Sequence, residues 1–222
     1  MIVITGASDG LGKELATLFV NNGKRVIGLS RNKCSEGIEH IPTDLTSDKD
    51  IEQAANKINA DSEQLEALIN CAGVLSIEKV ESLTSKEIDK VLDTNLRAPL
   101  LLTSRLMEKI KRDGADIVNV ASTVGLKGYV DQAAYGSSKW AIRGFSTNLQ
   151  TELKDYPSRV ISFCPGGFKT RLFEKATGVD NTSSGEWLDA KDVAQCLKQL
   201  LELPKNMQVT EIIIDRKKVK NE

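Results

Sequence analysis

Short apolar runs rich in β-branched residues alternate along the chain with longer stretches whose apolar residues recur every three or four positions. The runs fall at 1–5, 24–30, 37–41, 67–70, 116–121, 159–164 and 208–214. Most are apolar on successive residues, the pattern of a strand covered on both faces. The periodic stretches, near 11–22, 47–60, 84–112, 133–154 and 189–203, predict helices. Alternation this regular predicts an α/β fold: a single-domain, doubly wound, Rossmann-like parallel sheet of about seven strands, with helices on both faces and right-handed crossovers.

Local signals support several helix ends. Thr84-Ser85-Lys86-Glu87 reads as a capping box, in which hydroxyl and carboxylate satisfy end amides reciprocally. Asp189 precedes Val193-Ala194 and Leu197 in the same manner, and Asn22-Gly23 closes the first helix. No internal repeat or low-complexity linker divides the chain, so residues 1–222 are expected to form one domain. The least patterned stretch, about 168–188, is rich in Gly, Ser, Thr and Asn. It is expected as a loop, either plain surface or a substrate lid.

Composition narrows the function classes. A chain of 222 residues, 40% hydrophobic and 27% charged, has the make-up of an ordinary globular domain. A net charge of −1 gives no broad footprint for nucleic acid or an anionic membrane. Arg216-Lys217-Lys218 reads as a solvated tail. Cys34, Cys71, Cys164 and Cys196 form no CxxC pair, and Cys71 and Cys164 read as small buried hydrophobes at the ends of apolar runs. With His40 as the only histidine, in a short apolar stretch, no metal site and no Ser-His-Asp or Cys-His mechanism is expected. Met1 leads directly into Ile2-Val3-Ile4-Thr5, so no secretory signal is expected, and no apolar run is long enough to span a membrane. Unpaired cysteines suit a reducing cytoplasm.

Thr5-Gly6-Ala7-Ser8-Asp9-Gly10-Leu11-Gly12 follows the first strand and opens the first helix, the setting a phosphate-binding turn requires. Gly6 permits a tight turn, Gly10 a close approach of backbone to a pyrophosphate, and Gly12 close packing of helix on sheet. Phosphates would then sit at the positive end of that helix. The spacing is G-xxx-G-x-G rather than G-x-G-xx-G. The second strand ends Leu29-Ser30-Arg31. Ser30 stands where NAD enzymes place an acid for the ribose hydroxyl, and the Arg31 guanidinium suits a 2′-phosphate, so NADP(H) is expected over NAD(H). Asp9 runs against this, because some NADP enzymes carry a basic residue there. Arg31 could also be a plain solvated residue.

Tyr135 and Lys139 lie one helical turn apart in Tyr135-Gly136-Ser137-Ser138-Lys139. A free phenol titrates near ~10, and a neighbouring ammonium is expected to lower that value. Ser122 lies 13 residues before Tyr135, at the end of an apolar strand, where its hydroxyl could bond a substrate oxygen. Asn70-Cys71-Ala72-Gly73 and Pro165-Gly166-Gly167-Phe168-Lys169-Thr170 end two further strands at the same edge.

Together these pieces resemble the short-chain dehydrogenase/reductase family in its ordinary compact form. The matches are TGASDGLG at 5–12, Asp44-Leu45, NCAG at 70–73, Asn95, Ser122, YGSSK at 135–139 and PGGFKT at 165–170, in family order over about residues 1–200. The resemblance implies hydride transfer between nicotinamide and a carbonyl or alcohol substrate. Tyr135 would be the general acid in reduction and the base in oxidation. Lys139 would hold the nicotinamide ribose, Ser122 would orient the carbonyl, and Asn95 would hold a water relaying protons to solvent. The cofactor would lie against Gly6, Ser8, Asp9, Gly10, Leu11, Gly12, Ser30, Arg31, Asp44, Leu45, Asn70, Ala72, Gly73, Pro165, Gly166, Phe168 and Thr170. Of these, Asp44 would bond the adenine amine, Asn70 would support the central strands, and Thr170 would fix the carboxamide.

The segment between Pro165-Gly166 and the helix near Asp189 is short for this family, which suggests an open pocket. Phe168, Leu172, Phe173 and Trp187 suggest an apolar or aromatic-tolerant site, or they pack the loop. A homodimer is expected through helices 96–112 and 135–154, with Leu100, Leu101, Leu102 and Leu106 at the contact or in the interior. A catalytically silent NADP(H) sensor is the alternative, and the intact Ser122, Tyr135 and Lys139 argue against it. An epimerase or dehydratase on this fold would need a larger substrate domain than the chain has room for.

Overall fold

The computed structural model describes residues 1–180 and 187–217. Among the described residues seven strands form one sheet: β1 (Ile2–Thr5), β2 (Val26–Ser30), β3 (Glu39–Pro42), β4 (Ala67–Asn70), β5 (Asp116–Val120), β6 (Val160–Pro165) and β7 (Glu211–Ile214). Their order is β3-β2-β1-β4-β5-β6-β7 and every pairing is parallel. The helices are α1 (Gly10–Asn21), α2 (Asp48–Ala60), α3 (Ser85–Leu92), α4 (Ala98–Asp113), α5 (Ala133–Glu152), α6 (Arg171–Thr177) and α7 (Ala190–Leu201).

The continuous apolar strands have the cause inferred from sequence. Ile2 and Ile4 of β1 pack with α1 and α7, while Met1 and Val3 pack with α2, α4 and α5. The side chains of the central strands therefore meet a helix layer on either side, and the sheet has an apolar core on each face. No helix among the described residues is long and apolar enough to cross a membrane.

Four departures from the expected elements have identifiable causes. Residues 84–112 do not form one helix: α3 and α4 are separated by a π-helical turn, Asp93–Arg97. Pro99 has no N–H for the carbonyl of Asn95 four residues before it, so the regular ladder cannot run through. The expected 168–188 loop contains α6, started by the Thr170 hydroxyl accepting the Leu172 amide and stopped at Gly178; residues 181–186 of that stretch lie outside the described residues. The cap at Thr84 forms, accepting the Glu87 amide, but the Glu87 carboxylate pairs with Lys90 instead of closing the box. Asp189 makes no side-chain cap and pairs with Lys169 at 3.1 Å.

Behind the site, Asn70 Nδ2 donates to Asn119 Oδ1 at 2.8 Å, and Asn119 Nδ2 donates to Ser146 Oγ at 2.9 Å. This buried chain ties the ends of β4 and β5 to α5. His40 is structural: its Nε2 lies 2.9 Å from the Ser30 carbonyl oxygen.

Candidate active site

The strand order reverses between β1 and β4, so the loops leaving these strands part from one another. In doubly wound sheets ligands bind in that crevice, outside the carboxyl ends of the strands. A cleft of about 660 Å³ runs along this edge. It is lined from the β1, β2, β4, β5 and β6 loops, from α5, and from the segment after β7.

At the β1 end the turn closes on bare backbone. Gly6 sits at φ +73°, and a Cβ there would lie 2.9 Å from Ala72 Cα. A Cβ on Gly12 would lie 2.5 Å from the Gly6 carbonyl oxygen. The Thr5 hydroxyl accepts the amides of Cys71 and Ala72, both at 3.0 Å, and joins this turn to the one after β4. Ser8, Leu11, Leu45 and Gly73 line the same cleft. The narrow glycine cradle at a helix N-terminus fits a dinucleotide pyrophosphate.

At the β2 end the Ser30 hydroxyl donates to the Asn32 carbonyl at 2.7 Å and holds the turn. Arg31 is exposed and lines the cleft. The Thr46 amide and hydroxyl bond Asp44 Oδ1 at 2.9 and 2.8 Å and hold this carboxyl below the usual range, with the charge of Arg31 adding to the effect.

Ser122 follows β5 and accepts the Val124 amide at 3.2 Å. Tyr135 and Lys139 point from one face of α5 into the cleft beside it. The expected lowering of the Tyr135 pKa by Lys139 is reversed here. The Lys139 ammonium donates to the Val120 carbonyl at 2.9 Å and stands 5.6 Å from the centre of the tyrosine ring. Burial pushes the phenol up to about 12, against a smaller pull from the Ser122 hydroxyl. Burial also brings Lys139 down to about 8. The Tyr135 phenol is therefore protonated across the neutral range. Cys71 packs against the core and also lines the cleft, and burial pushes its thiol up to about 12, so it does not ionise there.

Asn95 is only 2% exposed, and its side chain is fully engaged. Its Oδ1 accepts the Val74 amide at 2.8 Å, and its Nδ2 donates to the Val74 carbonyl at 2.9 Å and to Ser138 Oγ at 3.1 Å. Its side chain thus joins the Val74 backbone to α5. Ser138, which sequence reasoning missed, donates to the Tyr135 carbonyl at 2.6 Å and so links Asn95 to the turn that carries the phenol. Its signal was a small hydroxyl on the buried face of α5.

Phe168, Leu172, Phe173 and Trp187 all line the cleft from the segment after β6, as do Pro165, Gly166 and Thr170. Trp187 packs against Gly167, and its ring centre lies 5.3 Å from that of Phe173. These side chains thus pack against one another and line the cleft at once. The tail is not simply solvated: the Arg216 guanidinium lies 4.7 Å from the centre of the Trp187 ring, and both Asp215 and Arg216 line the cleft. Lys218 lies outside the described residues. Gln132, three residues before Tyr135, lines the cleft with a buried Oε1 that has no hydrogen-bond partner among the described residues.

Comparison with known proteins agrees with this architecture. The family model for short chain dehydrogenase matches residues 1–179. An uncharacterized short-chain type dehydrogenase/reductase of Sinorhizobium fredii is 30% identical, over 95% of this chain and 88% of its own. A 4-hydroxyisoleucine dehydrogenase complexed with NADH and succinate superposes with a TM-score of 0.84 at 27% identity, over 97% of each chain. An alcohol dehydrogenase from the archaeon Thermococcus sibiricus complexed with 5-hydroxy-NADP superposes with a TM-score of 0.87 at 23% identity, over 97% of this chain and 95% of its own, a likeness of fold.

Proposed function

The chain belongs to the short chain dehydrogenase family, and on that premise we propose that it is an NADP(H)-dependent oxidoreductase acting on a carbonyl or alcohol, with carbonyl reduction as its working direction. The observation that carries this is the convergence of Ser122, Tyr135 and Lys139 on one cleft at the carboxyl edge of the sheet. NADP(H), when bound, supplies or takes up the hydride.

The chain's own groups do the rest. Tyr135 donates its proton to the carbonyl oxygen as hydride arrives at the carbon, and takes it back in oxidation. Ser122 bonds the same oxygen and orients it. Lys139 holds the nicotinamide ribose hydroxyls, and its charge steadies the phenolate left behind. Thr170 accepts the Leu172 amide at 3.3 Å and keeps its own proton to donate to the carboxamide. Asp44 reaches the adenine amine. Asn95 acts chiefly by position, locking Val74 and, through Ser138, the turn bearing Tyr135. A relay water falls to its backbone carbonyl, which Pro99 deprives of the usual helical donor.

Solved relatives carry either form of nicotinamide cofactor. The preference for NADP(H) therefore rests on Ser30 and Arg31, where a carboxylate would repel a 2′-phosphate. The aromatic lid suits a ketone or aldehyde with an apolar or aromatic part. Leu102 and Leu106 are interior, whereas Leu100 and Trp140 are exposed on α4 and α5. We read those two as the contact of a cytoplasmic homodimer.

The test is consumption of NADPH and of NADH with a panel of ketones, aldehydes and diketones. Turnover at least about tenfold faster with NADPH is expected; no turnover with either cofactor would overturn the oxidoreductase reading. A companion variant probes the cradle. Gly12→Ala sets a methyl against the Gly6 carbonyl, and NADPH affinity is expected to fall by about tenfold or more with a stability cost of about 1–3 kcal/mol. Unchanged affinity in a fluorescence titration would contradict a cofactor packed on that turn.

A further inference from the structure

Asp9 places a carboxylate in the turn that faces phosphates, which on charge alone opposes an anionic cofactor. The fold answers it from the far side of the chain. Oδ1 accepts the Gly10 amide at 2.9 Å and Arg171 Nε at 3.3 Å. Oδ2 accepts Lys175 Nζ at 2.7 Å, with Arg171 Nη2 at 3.1 Å. Arg171 and Lys175 are four residues apart on α6, so both reach from one face of that helix. The contact is close: a Cβ on Gly10 would lie 3.3 Å from Thr170 Cγ2. Burial pushes the Asp9 carboxyl up, but the bonds from Lys175 and Arg171 together outweigh it and leave it below the usual range.

Two cations on one carboxylate leave an excess positive charge at the turn. Stability does not explain the arrangement, because Arg171 and Lys175 are 59% and 61% exposed and such pairs add little. Their position does. Thr5 pairs with Leu29 across β1 and β2, so the Asp9 turn and Ser30-Arg31 leave the sheet side by side. Asp9, Lys175 and Arg31 line the same cleft.

We propose that Arg171 and Lys175 are ligands of the cofactor's 2′-phosphate, held ready over the turn by Asp9 and delivered by the lid helix. The proposal rests on the NADP(H) reading of the cleft. Asp9 is a stand-in anion: it keeps α6 seated and both cations aimed at the adenosine end. A phosphate carries more charge than a carboxylate and accepts an arginine through two oxygens, so it draws the cations over. The positive charge that the turn itself lacks thus comes from the lid, and cofactor choice is coupled to where the lid sits.

The experiment is equilibrium titration of NADPH and NADH by fluorescence, at low and high salt, on wild type, Arg171→Ala/Lys175→Ala and Asp9→Asn. Both cations are on the surface, so the fold tolerates their loss, and asparagine keeps the helix cap. The double variant is expected to lose about tenfold or more in NADPH affinity, with a weaker salt dependence and little change for NADH. Asp9→Asn is expected to hold or tighten NADPH by a few-fold, since the competing anion is gone. Equal losses for both dinucleotides, or no loss for either, would overturn the proposal. So would Asp9→Asn weakening NADPH as much as the double variant does, because the pair would then serve only to seat the lid. A wild type that binds neither dinucleotide removes the oxidoreductase reading itself, and this one with it.

Discussion

Tyr135→Phe is expected to lower carbonyl reduction by about 10³-fold, within the range contributed by a positioned general acid, while the NADPH dissociation constant stays within about twofold of wild type. The phenol is 7% exposed and is pushed up to about 12 by burial, so at neutral pH it keeps the proton that the proposed mechanism passes to the carbonyl oxygen. Phenylalanine removes that proton and little else, since the ring keeps its place beside Lys139. On the proposed mechanism Ser122 remains to polarise the carbonyl, which is why a residue of activity should survive. Single-turnover kinetics beside a binding titration separate the two effects. Wild-type turnover in the variant would show that another group, or water, supplies the proton. Loss of binding together with turnover would show that the hydroxyl builds the cofactor site instead.

The second large effect is a trade of stability against function at Lys139. This side chain is 4% exposed, and burial holds its ammonium at about 8, far below an ordinary lysine. Below that value folded and unfolded chains both carry the proton, and the folded state bears the full cost of the buried charge. Between about 8 and the ordinary lysine value of 10.5 the folded chain has shed its proton while the unfolded chain still binds one, so wild-type stability rises with pH. Lys139→Met keeps the length without the charge and leaves the Val120 carbonyl without its donor. A shift of this size, less a lost hydrogen bond, predicts a net gain of about 2 kcal/mol at pH ~7. Thermal melts should show it as a rise of about 5 °C that fades toward pH ~10. Turnover and cofactor affinity should both collapse. In wild type, kcat/KM should fall as pH rises through about 8, where the ammonium is lost. A variant less stable than wild type at neutral pH would mean that the ammonium stabilises the fold.

Both effects depend on burial, which the sequence could not display. The Ser122, Tyr135 and Lys139 set was visible as residue types at spacings a strand end and a helical turn allow. Their ionisation was not: a Tyr and Lys one turn apart suggested a lowered phenol, yet the ammonium turns to Val120 and burial governs both groups. Asn95 shows the same limit. Its place in a helical stretch was legible, and Pro99 was a readable warning that the helix would break. That the broken turn would lock its side chain onto Val74 and Ser138 was not. The 168–188 segment held its own signals, a capping Thr170 and a terminating Gly178, but seven helical residues among Gly, Ser and Thr carry too little periodicity to stand out.

By itself the sequence determined the order of the strands and of the longer helices between them, the two-faced burial of the central strands, the glycine turn after β1, and the residues at the carboxyl edge. Each follows from local rules: side-chain period, backbone sterics at glycine, and the reach of one helical turn. Only the tertiary structure decided that α6 would clasp Asp9, that Arg216 would lie over Trp187, and how strongly the cleft would shift Tyr135 and Lys139. Those outcomes join residues far apart in the chain or depend on how much solvent the packed elements exclude, and neither quantity is written in any local stretch of residues.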